Sequence, residues 1–183
     1  MKKMFKKFIS IVLSSVMFFQ SGVFSFAGEN KSIKNCDLQN EISNKMISEG
    51  YLEIKDGKVF ITEKYKSFIE KKLAKKGNGT YAVFEDDTII IKSNKNAMGE
   101  TKIQWTTWGF EIWIDENFCN DILAGTAIAE KLATYIPEVA LAEAVAWALI
   151  GAATLITVNN HGKGVIVMFN LVPLCIRWIS SQE

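Results

Sequence analysis

The stretch Lys102-Ile103-Gln104-Trp105-Thr106-Thr107-Trp108-Gly109-Phe110-Glu111-Ile112-Trp113-Ile114-Asp115 decides how this chain is read. Aromatic and β-branched side chains dominate it, and that composition favours a single extended strand over residues 103–114. With a two-residue period, Trp108, Phe110, Ile112 and Ile114 share one face, while Trp105 and Trp113 fall on the other beside Thr107 and Glu111. Neither face is plainly meant for water. The strand is therefore expected either to be sandwiched under helices or to offer an aromatic surface to a membrane interface or a glycan, since an indole suits a boundary between apolar and wet surroundings.

Downstream, the pattern becomes helical. Asp115 is a good N-cap, with Glu116 in the first turn behind it. Gly125, Ala129 and Ala133 then recur every four residues up to Pro137, and Ala140, Ala144, Ala148 and Ala152 resume the same spacing beyond it. Small residues along one ridge of a helix permit close backbone approach, so the two ridges predict a tight helical hairpin turning near Pro137. Ala-rich helix propensity alone would produce the same composition without requiring the ridges to meet. Residues 139–158 carry Glu143 as their only charge and reach roughly 30 Å as a helix. Their eight Leu, Ile and Val residues favour insertion by roughly −2.4 to −4.8 kcal/mol, which Glu143, two Thr and Gly151 offset almost completely. Such a helix suits a buried core, or insertion after a conformational change. Residues 165–169 and 174–179 then read as apolar strands around Pro173, with Arg177 as their sole charge.

Upstream, residues 35–49 show helical spacing of Leu38, Ile42, Met46 and Ile47, closed by Gly50. Asp56-Gly57 joins two short strands, Thr62 can cap a helix carrying Tyr65, Phe68, Ile69 and Leu73, and a second hairpin flanks Glu85-Asp86-Asp87. Residues 94–100 lack periodicity. The expectation is an α+β fold in which a small helix and hairpin region (28–93) is joined by a linker (94–101) to a C-terminal domain (102–183). That domain comprises the aromatic strand, the Ala/Gly-rich helical hairpin and the apolar strands.

The chain opens with Lys2, Lys3, Lys6 and Lys7, an apolar run over 8–19, and Ser25-Phe26-Ala27, the pattern of a secretory signal peptide cleaved after Ala27 (1–27). From Gly28 to Gly99 thirteen Lys face eleven acids, and from Glu100 to the end four basic residues face nine acids. Electrostatic binding to nucleic acid or anionic lipid therefore has little to draw on. Export allows a disulfide among Cys36, Cys119 and Cys175, and Cys119 with Cys175 is the expected pair; three unbridged, buried thiols are the alternative. The Lys71-Lys72 and Lys75-Lys76 doublets read as the solvated end of a helix, or as a protease-sensitive site beside Gly77-Asn78-Gly79.

A helix followed by Gly50-Tyr51-Leu52-Glu53 and a further helix resembles the recognition helix and wing of winged-helix DNA-binding domains over 42–73, but export and near-neutral charge set DNA aside. Trp105-Thr106-Thr107-Trp108-Gly109-Phe110, Ala124-Gly125-Thr126, Ile136-Pro137, Gly164-Val165-Ile166-Val167 and Trp178-Ile179-Ser180-Ser181-Gln182 together resemble a group of small uncharacterised secreted proteins of Gram-positive bacteria over about 102–182. The resemblance implies export and a common fold, and no activity or functional residue. His161 lies in a Gly-rich turn, and no catalytic, metal or cofactor constellation emerges. The expected function is that of a secreted, non-enzymatic protein acting on a membrane or cell-envelope target, bacteriocin-like or toxin-like, with membrane association through 139–158. Trp105, Trp108, Trp113, Trp147 and Trp178 are its candidate contacts. The alternative is a soluble secreted interaction module with the helical hairpin as its core.

Overall fold

The computed structural model describes residues 44–77, 79–93, 98–125, 127–171 and 174–183. The signal peptide, Cys36 and most of the helix expected over 35–49 lie outside the described residues. A helical turn over 44–48 ends at Gly50, which is left-handed (φ 73°), and Tyr51 N donates back to Met46 O at 2.9 Å. Strands β1 (Leu52–Lys55) and β2 (Lys58–Ile61) form a separate hairpin. Its Asp56 and Gly57 both take positive φ, as a tight two-residue turn requires. Thr62 then caps α1 (Glu63–Lys76), whose buried face is Tyr65, Ile69 and Leu73.

The rest of the chain builds one six-stranded antiparallel sheet in sequential order: β3 (Tyr81–Phe84), β4 (Thr88–Lys92), β5 (Thr101–Trp105), β6 (Gly109–Ile114), β7 (Val165–Leu171) and β8 (Leu174–Ser181). Four helices are inserted between β6 and β7: α2 (Glu116–Ala124), α3 (Ile128–Leu132), α4 (Val139–Gly151) and α5 (Ala153–Asn159). The α+β class is as expected. The division at 94–101 is not found as a break, because β4 pairs directly with β5 and Thr101 lies opposite Ile91. Sheet hydrogen bonding carries the fold across that segment.

The single aromatic strand expected over 103–114 is a hairpin. Thr106 makes the turn: its N and Oγ1 donate to Gly109 O at 2.9 and 3.0 Å, and its Oγ1 accepts from Gly109 N at 3.0 Å. Gly109 has to be a glycine, since a Cβ there would lie 1.9 Å from Phe169 O. Folding back changes the parity of the faces. Trp105 pairs with Phe110 and Ile103 with Ile112, so Trp105 joins the inner face and not that of Trp113. The inner face runs Ile89, Ile103, Ile112 and Val167 in one row and Trp105, Phe110 and Phe169 in the next. There Phe110 stacks on Phe169 at 5.3 Å and meets Trp105 at 4.9 Å. Buried residues of all five helices complete this core, among them Tyr65, Phe118, Leu132, Val145 and Ile156.

The small-residue ridges are cut up. Helix α2 stops at left-handed Gly125 (φ 67°), and Ala127 (φ 47°) precedes α3, so Gly125, Ala129 and Ala133 do not run along one helix. Helices α3 and α4 do pack together. Even so, the face that α4 buries is Leu141, Ala142, Val145, Ala146 and Leu149, while Ala140 is exposed and Ala144 and Ala148 are half-buried. The twenty-residue helix expected over 139–158 is likewise broken at Ala152, with α5 bent 67° from α4. No single described helix is long and apolar enough to cross a membrane.

Candidate functional surfaces

The five tryptophans expected to act together occupy different environments. Trp105, 1% exposed, is a core residue. Its indole N–H lies near the Tyr65 hydroxyl, slightly opposing the strong upward pKa shift that burial imposes on that phenol, yet it completes no hydrogen bond of its own. Trp113 and Trp178 lie on the outer face of the sheet. One cross-strand row there is Val83, Ile90, Lys102, Trp113, Ile166 and Ser180, and the next is Gln104, Glu111, Met168 and Trp178. Lys102 Nζ sits 3.6 Å from the Trp113 ring and Trp113 Nε1 donates to Glu111 at 3.4 Å, so this indole is partly covered. Trp178 faces Met168, which is nearly fully buried despite its outer position. Trp108, in the β5–β6 turn, lies under the Arg177 guanidinium at 5.0 Å.

Trp147 stands apart on the opposite side of the molecule. It is 74% exposed, the most exposed large apolar side chain among the described residues. On α4 it lies outside the buried stripe, with Val139 and Ile150, and α5 extends the apolar surface with Leu155 and Val158. Helix α4 is apolar all round, which periodicity alone reads as a buried or membrane helix. Here one side is core and the other faces outward. Glu143 is the only charged residue between Glu138 and Lys163, so this face has no cation with which to meet an anionic surface.

The expected Cys119–Cys175 disulfide is absent; both are free thiols. Cys119 Sγ approaches Ile114 O at 3.7 Å, and Ile114 pairs with Val165 at one end of β7. Cys175 pairs with Asn170 near the other end, five residues along, or roughly 17 Å at the rise of a strand. No bridge can form across that separation. Burial first, then the Asp115 carboxylate, push the Cys119 thiol up to about 11, which suits a packed hydrophobe and not a nucleophile. His161 is exposed in the turn before β7.

A cavity that the sequence does not reveal opens beside α2. Its volume is about 490 Å³, and it collects Lys76 from the end of α1, Thr101 from β5, Asp115, Asn117, Asn120 and Asp121 from α2 and its cap, Lys131 from α3 and Tyr135. Asp115 is committed: Oδ1 accepts from Phe118 N and Oδ2 from the Thr101 hydroxyl, both at 2.7 Å. Lys131 pairs with Asp121 at 2.8 Å and lies 3.9 Å from the Phe118 ring. Burial, followed by Asp115, drives the Tyr135 phenol up to about 12, and burial with repulsion from Lys131 lowers Lys76. Neither this cavity nor the one of about 400 Å³ between the β1–β2 hairpin and Thr106 includes His161 or Cys119. Among the described residues, no three His, Cys, Asp or Glu side chains gather as metal ligands. Compared with protein-family models, curated proteins and solved structures, the chain matches none.

Proposed function

We propose that this is an exported, non-enzymatic protein that attaches to a membrane or envelope surface through the outward face of α4 and α5. One observation carries the reading: Trp147 projects almost bare from a helix whose other side is packed in the core, flanked by exposed Val139, Ile150, Leu155 and Val158. An exposed apolar helix face with an indole is the arrangement by which a helix lies in the lipid interface rather than across it. The break at Ala152 and the 67° bend suit shallow attachment, since neither helix alone reaches across a bilayer. Without cations on this face, attachment would rest on apolar burial and be insensitive to lipid charge.

The test uses the chain recovered from the medium of an expressing bacterium, its N terminus read by mass spectrometry. Flotation with phosphatidylcholine vesicles and with vesicles also containing phosphatidylglycerol should carry the protein upward to similar extents. Trp147→Glu should abolish flotation, and Trp178→Glu on the sheet face should not. Failure to float with either vesicle would sink the proposal. A second reading, a soluble interaction module, draws support from the burial of Leu141, Val145 and Leu149 in the main core, which makes α4 part of a water-stable domain. It gains ground if the protein is monodisperse and melts cooperatively without detergent, yet ignores both vesicles.

A further inference from the structure

Gln182, which follows β8, is a polar residue held in the interior, only 6% exposed. Its side-chain amide lies between two layers of backbone. On one side Oε1 accepts from Glu100 N at 2.8 Å, and Nε2 donates to Glu100 O at 2.9 Å. On the other, Nε2 donates to Ile114 O at 3.1 Å, where β6 ends, and to Val165 O at 3.3 Å, where β7 begins. Two N–H groups are shared among three carbonyls, and the Glu100 N–H fixes which end of the amide is oxygen. Gln182 N adds a bond to Gly164 O at 3.1 Å. One side chain therefore joins the ends of three strands to the segment Met98–Glu100 before β5.

That segment is a surface strap. All three of its residues are exposed, and none belongs to the hydrophobic core. Met98 O accepts from Glu116 N, the first residue of α2, at 3.1 Å. Gly99 (φ 87°) runs so close to the turn before β7 that a Cβ would lie 1.7 Å from Lys163 O. Glu100 pairs with Lys92 at 2.7 Å, but both partners are exposed and such a pair holds little in water. Hydrogen bonding, not apolar burial, keeps the strap down. Next to the amide lies Cys119, whose Sγ approaches the same Ile114 carbonyl at 3.7 Å and whose surface is wholly covered. We infer that Gln182 is the latch of this strap, and that releasing it opens this end of the sheet as far as the Cys119 thiol while the rest of the fold stays closed. Without the amide, the Glu100 N–H and the Glu100, Ile114 and Val165 carbonyls lose a partner, and buried polar groups are costly unless water reaches them. Lifting an exposed three-residue strap admits that water more readily than separating six paired strands. The device thus has two states, one with the thiol sealed and one with it reachable. None of these residues belongs to the outward face of α4 and α5, so the latch stands or falls independently of membrane attachment.

The experiment compares the purified chain with Gln182→Glu, which keeps the shape but replaces donors by an acceptor, and with Gln182→Ala, which removes the amide. Two readouts are taken: backbone amide exchange resolved by NMR, and iodoacetamide labelling at pH 8 read on the Cys119 peptide by mass spectrometry. In both variants, exchange at Glu100 and Glu116 and labelling of Cys119 should rise at least about tenfold, the shift that accompanies loss of one buried hydrogen bond. Exchange at Ile103 and Ile112, in the middle of β5 and β6, should match the unaltered chain. Lys92→Ala, which removes only the ion pair to Glu100, should leave every rate as it was. Unchanged rates in both Gln182 variants, or faster exchange at Glu100 with Cys119 still sealed, would overturn the inference. So would a parallel rise at Ile103 and Ile112 or failure of both variants to fold, since either would make Gln182 a support of the whole sheet. An equal effect of Lys92→Ala would overturn it too, by placing the latch in the ion pair.

Discussion

The Tyr65 hydroxyl donates a 2.7 Å hydrogen bond to the carbonyl of Tyr135, joining the first turn of α1 to the turn that leads into α4. Both groups are buried, and Tyr65 is wholly removed from water. The bond therefore closes the helix layer over the sheet where no strand pairing can do so. Tyr65→Phe keeps the ring contacts with Trp105 and Tyr51 and strands the Tyr135 carbonyl, at a cost of about 1–3 kcal/mol. Urea unfolding should show a lower midpoint at unchanged slope.

Three glycines make opposite predictions. A Cβ at Gly109 would meet Phe169 O at 1.9 Å, and one at Gly164, where φ is also +92°, would meet Ile114 O at 2.1 Å. Alanine at either position should cost more than about 3 kcal/mol, because backbone atoms of paired strands have to move. Gly151, the last residue of α4, has open space around it, and Gly151→Ala should stabilise by about 0.5–1 kcal/mol. Thermal melts of the three variants read the contrast directly.

Enlarging the alanines of α4 should map its buried stripe. Ala146 is almost fully buried, so Ala146→Leu should overpack the core by about 1–3 kcal/mol, whereas Ala140→Leu on the exposed side should change little. Equal melting temperatures for the two would place the buried face elsewhere.

The phenols and the buried thiol predict alkaline sensitivity. Cys119 is raised from 9.0 to about 11 and Tyr135 from 10.0 to about 12 by burial, and Tyr65 is raised further. The folded state therefore holds these protons after the unfolded state has released them. Stability is complete below about pH 9 and declines as pH rises towards 12. Lys76, lowered, acts in the opposite sense, and its exposure keeps that effect small. Melting temperature should hold from pH 8 to about 9 and fall from there to pH 11, and iodoacetamide at pH 8 should label Cys175 while sparing Cys119 until the chain unfolds. Rapid labelling of Cys119 in the folded protein would contradict the packing described.

Local signals served well where chemistry and structure lie within a few residues. Asp56-Gly57 made its hairpin, Thr62 and Asp115 capped their helices, and Gly50 and Gly77 turned left-handed at helix ends, whereas Gly125, read as part of a helical ridge, ends its helix instead. The aromatic stretch was read as one strand because nothing in its composition marks Thr106 as a turn. What makes it turn is the hydrogen-bond exchange with Gly109 and the pressure of Phe169 against that glycine, a partner sixty residues away. The same reversal carried Trp105 from a candidate contact into the core. The polar cavity was illegible for a related reason: Lys76, Asn120 and Lys131 come from three helices, with no shared spacing to announce them.

By itself the sequence determined the secondary-structure types, the caps, the apolar character of 139–158 and the lack of a strongly basic surface, all properties of neighbouring residues or of composition. Tertiary structure alone decided which side of each element meets the core. Strand pairing set the parity that buries Trp105 and leaves Trp113 and Trp178 outside, and it placed Cys175 near the β7–β8 turn, far from Cys119 on α2. It also decided that α4, apolar on every side, turns Leu141, Val145 and Leu149 inward and Trp147 outward. A helix without a polar face carries no instruction about its own orientation, so only the shape of the sheet and helices it packs against could supply one.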